Sequence, residues 1–309
     1  MRQTSVKIGI IVLIVLMLFF LVYEKDDRIQ TPSRADYADN TRNIAFASAD
    51  LSENKICNSL SIPLQHEITQ YKKIERQLTD SEHEAVVVCR KRDLKEEHKQ
   101  SWETFFANKV EYIRWNNHTY LNGDSTVVEV GGNVGAFSDK ILSLFNPRRY
   151  IILEPMTKYS GMLVGKYKGV QNVMVLNFGL ASEDRTDWVK LDGIETSRFQ
   201  NNNIPKNQLS PLRQVNATDF FLSMGVGIYE VDLLTMNCEG CEYDILDAIL
   251  DSNLINYFRH VQISYHHLNG LGDTLDRWCQ YQQLLSRTHR LIYQYPFFWE
   301  LWTRKDLKQ

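Results

Sequence analysis

The residues best suited to chemistry fall into four short stretches. Residues 127–130 read as a buried strand, and Gly131, Gly132, Asn133, Val134 and Gly135 follow as a glycine turn that opens a helix. Such a turn lets backbone approach a ligand and aims the free N–H groups of the helix at it, which is how α/β sheets hold nucleotides. Against the dinucleotide pattern G-x-G-x-x-G counted from Gly131, Asn133 takes the second glycine position and Ala136 the third, which disfavours NAD. The second stretch ends a strand with Glu154 and Pro155, 23 residues after Gly131. A carboxylate at that spacing can accept both ribose hydroxyls. The third runs from Val231 through Asn237, Cys238, Glu239, Gly240, Cys241 and Glu242, and puts Asn237 and Glu239 at the mouth of the sheet. The fourth is another strand, ending in Tyr265, His266 and His267.

Each of these residues has a plainer reading. Glu154 also suits the cap of the next helix, Glu129 an ion pair, and Glu242 the positive end of a helix. Cys238 and Cys241 form a C-x-x-C at a strand-to-helix junction, the setting of thiol oxidoreductases and of half a zinc site, but no second such pair accompanies them. His266, His267 and Asp273 are a further candidate set for a divalent metal. No metal is assigned.

Positioning these residues requires a layered fold. After Gly123, short β-rich runs at 126–130, 150–153, 173–177, 228–236 and 260–265 alternate with helical patterns at 135–145, 156–167, 217–224, 241–250 and 275–288. That alternation predicts an α/β fold, a doubly wound, Rossmann-like parallel sheet with helices on both faces. Residues 289–295 and 297–303 read as two strands joined through Pro296 without room for a crossover, hence an antiparallel hairpin. Phe297, Phe298, Trp299 and Trp302 on that hairpin are expected in the core. Leu64, Ile68, Tyr71, Ile74 and Leu78 form one stripe of a capping helix, and the charged stretch 91–99 reads as a solvated face.

The 35 basic and 38 acidic residues give a net charge of −3, and so no general drive toward nucleic acid. With 15 Gly, 7 Pro and 5 Cys among 309 residues, collagen-like and disulfide-stapled small scaffolds are excluded. The start of the chain departs from this average. Residues 8–23 are apolar without a charge, preceded by Arg2 and Lys7, and would span ~24 Å as a helix. No small-residue cleavage site follows, so the run is expected to be an uncleaved signal anchor with its short tail cytosolic. The expected organisation is a tail at 1–7, a single transmembrane helix at 8–23, a stem and capping helix at 24–80, and a luminal domain at 81–309. Sequons at Asn117 and Asn216 agree with a lumen of the endoplasmic reticulum or Golgi. There Cys57 and Cys89 are expected to be able to pair.

With the Glu129–Gly135 loop, the Leu153-Glu154-Pro155 ending and the stretch from Thr235 to Glu242, the chain resembles the FkbM-type family of methyltransferases. The family's K-I-D-V-E-G-x-E signature aligns with Thr235–Glu242, keeping Glu239, Gly240 and Glu242; Thr235 and Asn237 replace its Lys and Asp. The end of the fifth strand at His266 and residues 298–302 are similar to the family as well. The resemblance covers about residues 123–303 and implies a class I methyltransferase fold using S-adenosyl-L-methionine, most often on oxygen. That cofactor has no pyrophosphate, so a side chain at Asn133 is tolerable, and Glu129 is placed to meet its ammonium group. The expected cofactor-binding residues are Glu129, Gly131, Gly132, Asn133, Gly135 and Glu154. The expected catalytic residues are His266, as an acceptor of a proton at mildly acidic pH, Glu239 and Asn237. The expected acceptor is a glycan or other small molecule of the secretory pathway. The alternatives are a catalytically inactive cofactor-binding or interaction module and a type II glycosyltransferase, although the chain has no D-x-D.

Overall fold

A computed structural model describes residues 75–190, 209–267 and 271–308. The expected tail, membrane helix and most of the stem, with Cys57 and residues 64–74 of the apolar stripe, lie outside them. Among the described residues no helix is long and apolar enough to cross a membrane.

Two helices come first, α1 (Asp80–Cys89) and α2 (Leu94–Ala107), then a short α3 (Ile113–Asn116). Alternation follows: β1 (Thr126–Val130), α4 (Ala136–Phe145), β2 (Arg149–Leu153), α5 (Thr157–Lys166) and β3 (Val173–Leu176). Three strands form a separate small sheet, β4 (Gly179–Ala181), β5 (Arg185–Lys190) and β6 (Leu209–Asn216). The chain continues through α6 (Ala217–Ser223), β7 (Leu233–Met236), α7 (Cys241–Asp251), β8 (His260–Ser264), α8 (Thr274–Thr288), β9 (His289–Tyr295) and β10 (Trp299–Arg304).

The main sheet has the order β3-β2-β1-β7-β8-β10-β9. Strands β1, β2, β3, β7 and β8 are mutually parallel, and β10 runs antiparallel to both neighbours. The hairpin closes one edge of the sheet with its later strand inside: β10 lies between β8 and the edge strand β9. Strand order reverses between β1 and β7, and at such a switch point the loops leaving the two strands diverge to open a crevice.

Period-two alternation divides the core. Val128, Val130, Leu234 and Met236 face one cluster with α6, α7 and α8, whereas Val127 and Leu233 face a second with Phe137, Ile141 and Leu163 of α4 and α5. Full burial of each such side chain contributes about 1.5–3 kcal/mol, which makes a one-residue slip of register prohibitive.

Three expectations are corrected. The strand expected over 228–236 begins at Leu233; before it, Gly225 and Gly227 take positive φ, and Asp232 turns its carboxylate to the Thr126 N–H at 2.9 Å and to Arg259 at 3.2 Å. Strand β10 begins at Trp299 because Phe297 adopts φ +54° in the turn, and a bulge between Leu301 and Trp302 breaks simple alternation. Phe297, Trp299 and Trp302 are core, and Phe298 is half-buried. Cys89 pairs with Cys279, tying α1 to α8, and so is not the partner of Cys57.

Candidate active site

The crevice at the switch point has two sides. On one, the chain leaves β1 into the glycine turn. Gly131 takes φ +92°, and a Cβ there would lie 2.0 Å from the carbonyl oxygen of Asn237. A Cβ on Gly132 would lie 2.2 Å from Cγ2 of Ile152. Glycine is thus required for the turn to seat against the β7 exit and against β2. Asn133, with φ +46°, donates its backbone N–H to Glu154 Oε2 at 2.7 Å. The other carboxylate oxygen of Glu154 accepts from the Met156 N–H at 2.8 Å, at the start of α5. Glu154 thereby joins the ends of β1 and β2, and each of its oxygens keeps a second acceptor site. Burial raises its pKa above the ordinary carboxylate value, and the two backbone N–H groups offset only part of that. The side-chain oxygen Oδ1 of Asn133 is buried without a hydrogen-bond partner. An orphaned acceptor of this kind costs about 1–3 kcal/mol until something donates to it.

Glu129 sits deeper. It is buried between α4 and β2, where its Oε2 accepts from the Ser138 hydroxyl and from the Tyr150 hydroxyl at 2.8 Å. Burial pushes its pKa up to about 7, against those two hydrogen bonds. Both hydroxyl donors reach it from the α4 face of β1, so Glu129 holds α4 and β2 behind the turn. Gly135, with φ +80°, precedes α4 and packs near the Tyr167 hydroxyl.

On the other side, β7 ends at Met236 and the Asn237 N–H donates to Val130 O at 2.9 Å, keeping the two exits in register. The Asn237 side chain is exposed at the mouth. Glu239 takes φ +55° and Gly240 φ +106°, and Cys238 and Cys241 on either side are joined as a disulfide. Glu242, in the first turn of α7, is fully buried; its Oε2 accepts from the Gly240 N–H at 2.9 Å and its Oε1 from the His266 N–H at 2.8 Å. The His266 ring lies between two carboxylates, with Nδ1 3.1 Å from Glu242 and Nε2 3.3 Å from Glu239. Burial alone would depress its pKa; Glu242 and Glu239 together outweigh burial and hold it well above 6.5. The two flanking carboxylates thus favour the protonated ring, a setting suited to a charge partner of Glu239 and Glu242. His267 turns away to bond Thr274 at 3.1 Å. Among the described residues no group of three or more His, Cys, Asp or Glu side chains is arranged to hold a metal, so His266, His267 and Asp273 do not assemble into one.

A residue absent from the sequence reading reaches the same mouth. Helix α2 docks on the β9–β10 turn through Ser101, which donates to Pro296 O at 2.9 Å, and through buried Phe105. Three residues earlier, His98 lies with its ring 5.6 Å from Phe298 and 6.3 Å from Phe297. Burial, then the nearby His266 and His267, lower its pKa below the ordinary histidine value. Two caps mark these helices in the sequence. Thr79 and Glu82 form a capping box at α1, and Asp93 accepts from the Glu96 N–H at α2.

No family model matches this chain, and no curated protein matches it in sequence. Solved structures similar to it include a methyltransferase FkbM from Methylobacillus flagellatus KT, 13% identical over 72% of this chain and 59% of that one, with a TM-score of 0.43. A putative rRNA methylase from Clostridium thermocellum is 11% identical over 64% and 94% of the two chains, at 0.35. TrmK from M. capricolum in complex with S-adenosyl-homocysteine is 10% identical over 60% and 64%, at 0.33. The chain thus spans about six tenths of the FkbM chain's length, and its chemistry has to be read from its own side chains.

Proposed function

We propose that this chain is an S-adenosylmethionine-dependent methyltransferase acting on a hydroxyl oxygen. The observation that carries the reading is the cradle formed by Gly131, Asn133 and Glu154. A buried carboxylate at the end of β2 is joined to a glycine turn at the end of β1, beside an unpartnered Asn133 Oδ1. These residues fit a nucleoside bearing vicinal hydroxyls and a short charged tail. Glu154 can receive the ribose hydroxyls, and Asn133 Oδ1 can accept from a cofactor N–H or O–H. The glycine turn offers no second glycine at Asn133 for a pyrophosphate.

When bound, S-adenosylmethionine supplies a sulfonium methyl that passes to the acceptor oxygen while the carbon–sulfur bonding pair returns to sulfur. The chain's own task is to align the acceptor and remove its proton. Glu239 is the carboxylate at the mouth suited to take that proton. His266 fixes its orientation by charge, and Glu242 fixes His266 from below. Phe298 and His98 line the acceptor side, and Asn237 lies between the two sides.

The acceptor class follows from compartment. The apolar run 8–23 behind Arg2 and Lys7 supports a single-pass anchor in the secretory pathway. Asn117, in one sequon, is exposed. In that setting a glycan hydroxyl is the proposed acceptor, with the membrane as partner through the anchor and no role for nucleic acid. The test is calorimetric titration of the full chain in detergent with S-adenosylmethionine, NAD and a nucleotide-sugar. Selective S-adenosylmethionine binding lost in Glu154→Ala is expected, and binding of only the nucleotide-sugar would overturn the reading. Radiolabelled methyl groups recovered outside glycans in overexpressing cells would remove the glycan acceptor alone.

A further inference from the structure

The Cys238–Cys241 pair has no part in the chemistry above, yet it encloses the residue that does. Only Glu239 and Gly240 lie between the two cysteines, and both hold positive φ. For a non-glycine residue that conformation costs about 1 kcal/mol or more and persists where the surroundings enforce it. The disulfide fixes both ends of the loop, and the Cys241 N–H lies 3.5 Å from Cys238 O across it. The same loop presses on the glycine turn, since Cys238 Cα is 3.3 Å from where a Gly131 Cβ would stand. Thiol-exchange chemistry is a poor alternative for this pair. Glu242 Oε2 is 3.6 Å from Cys238 Sγ, so a thiolate formed there would face a buried carboxylate.

We propose that the Cys238–Cys241 disulfide is a positioning element that locks Glu239 against His266, so that a dithiol reductant disables the acceptor side while leaving the cofactor cradle intact. In the opening step the S–S bond breaks, the dithiol gives up two electrons and closes to its own disulfide, and its two protons end on Cys238 and Cys241 as thiols. Freed from the bridge, Glu239 returns to a negative φ and its carboxylate leaves His266. The loss of methyl transfer rests on the methyltransferase reading; the positioning of Glu239 does not.

Two carboxylates flank the His266 ring, Glu239 in the loop and Glu242 on α7; His98 on α2 is the nearby histidine from another element, and Tyr243 on α7 bonds the His266 carbonyl, not its ring. His267 adjoins it in the chain. Glu239 lies inside the bridged loop, whereas Glu242 stands on α7 and touches that loop through the Gly240 N–H and Cys238 Sγ, so the Glu239→Gln comparison is what separates the two partners in the His266 titration. The experiment follows histidine ring resonances of the full chain in detergent micelles against pH, before and after dithiothreitol. Iodoacetamide trapping and peptide mapping verify that Cys238 and Cys241 open while buried Cys89 and Cys279 stay joined. Opening should lower the His266 midpoint by about one pH unit, as expected for removing one of two adjacent carboxylates. Glu239→Gln should give a similar drop in the oxidised protein and no further drop in the reduced one, and reoxidation should restore the wild-type value. S-adenosylmethionine affinity should change by less than about threefold, under 1 kcal/mol.

An unchanged midpoint, or a Glu239→Gln effect that adds in full after reduction, would overturn the proposal. So would a collapse of cofactor affinity without movement of His266, which would place the bridge in the cradle. Should Cys89–Cys279 open first, the Cys238→Ala/Cys241→Ala variant gives the same comparison without a reductant. If the oxidised protein fails to bind S-adenosylmethionine, the proposed function falls, and the His266 midpoint still decides the positioning.

Discussion

The two sides of the crevice hold carboxylates by opposite means. On the β1–β2 side, Glu154 and Glu129 are buried among neutral donors, two backbone N–H groups for one and two hydroxyls for the other. On the β7–β8 side, Glu239 and Glu242 share a cation, His266. Neutral donors orient a carboxylate without an opposing charge, which at Glu154 leaves acceptor sites for a ligand and at Glu129 holds α4 and β2. A ring shared between two carboxylates offsets much of their charge and gives the pair a fixed geometry from within the chain.

The two sides meet where Gly131 abuts Asn237, and the largest effect is expected there. Gly131→Ala puts a methyl group 2.0 Å from a backbone oxygen at positive φ, and should abolish S-adenosylmethionine binding and lower the melting temperature together. Melting and binding at wild-type levels would show that the sides do not touch as described. Glu242→Ala strips the buried partner from His266 and should destabilise the fold by about 3–5 kcal/mol, measured by denaturant unfolding. A loss under about 1 kcal/mol would mean that the His266 ring has no such dependence. Glu154→Ala should cost about 2 kcal/mol, roughly 30-fold in cofactor affinity, because two N–H groups lose their acceptor along with the ligand's hydroxyls.

Glu129→Gln sharpens the comparison through pH. The folded carboxyl titrates near 7 and the unfolded one near 4.5, so between these values the folded state binds more protons. Stability contributed by this proton is present below pH 4.5 and lost as pH rises toward 7, up to about 3 kcal/mol. The variant should therefore gain stability relative to wild type as pH rises from 4.5 to 7.5, and a difference that does not change with pH would refute the assignment. His98→Gln should be the mildest, under about 1 kcal/mol in unfolding because the ring makes only edge contacts, with unchanged cofactor affinity. A large loss of cofactor affinity would move His98 to the other side.

Much of the main sheet was legible because its strands are short apolar runs between glycine turns and amphipathic helices. β1 and β9 keep the expected bounds, and the bounds of β2 and β8 differ by one residue. The small β4–β6–β5 sheet was not. Its strand Gly179–Ala181, although buried throughout, is only three residues long, and Arg185–Lys190 mixes charge with an exposed Trp188 around buried Val189, so neither run is long or regular enough to show alternation. The sheet is attached by Leu180, buried in the main core, and by Arg185, paired at 3.0 Å with Asp244 of α7 across 59 positions, contacts that no local pattern announces. Helix α2 was hidden because its outward face is the charged stretch that masks His98. Site residues were legible by position along the sheet, not by protonation. His266 stands at the expected strand end, but its charge depends on Glu242, whose burial only the tertiary structure reveals.

The insertion of β10 between β8 and β9 bears on how the chain acquires its fold. β9 is made before β10, yet it cannot join the sheet until β10 arrives to separate it from β8. During that interval β8 presents an unpaired edge flanked by Tyr265 and Trp278, and β9 presents two. Exposed edges of this kind invite pairing with other chains. The final strand thus acts as a keystone, and the interval before it seats is when aggregation competes best with folding.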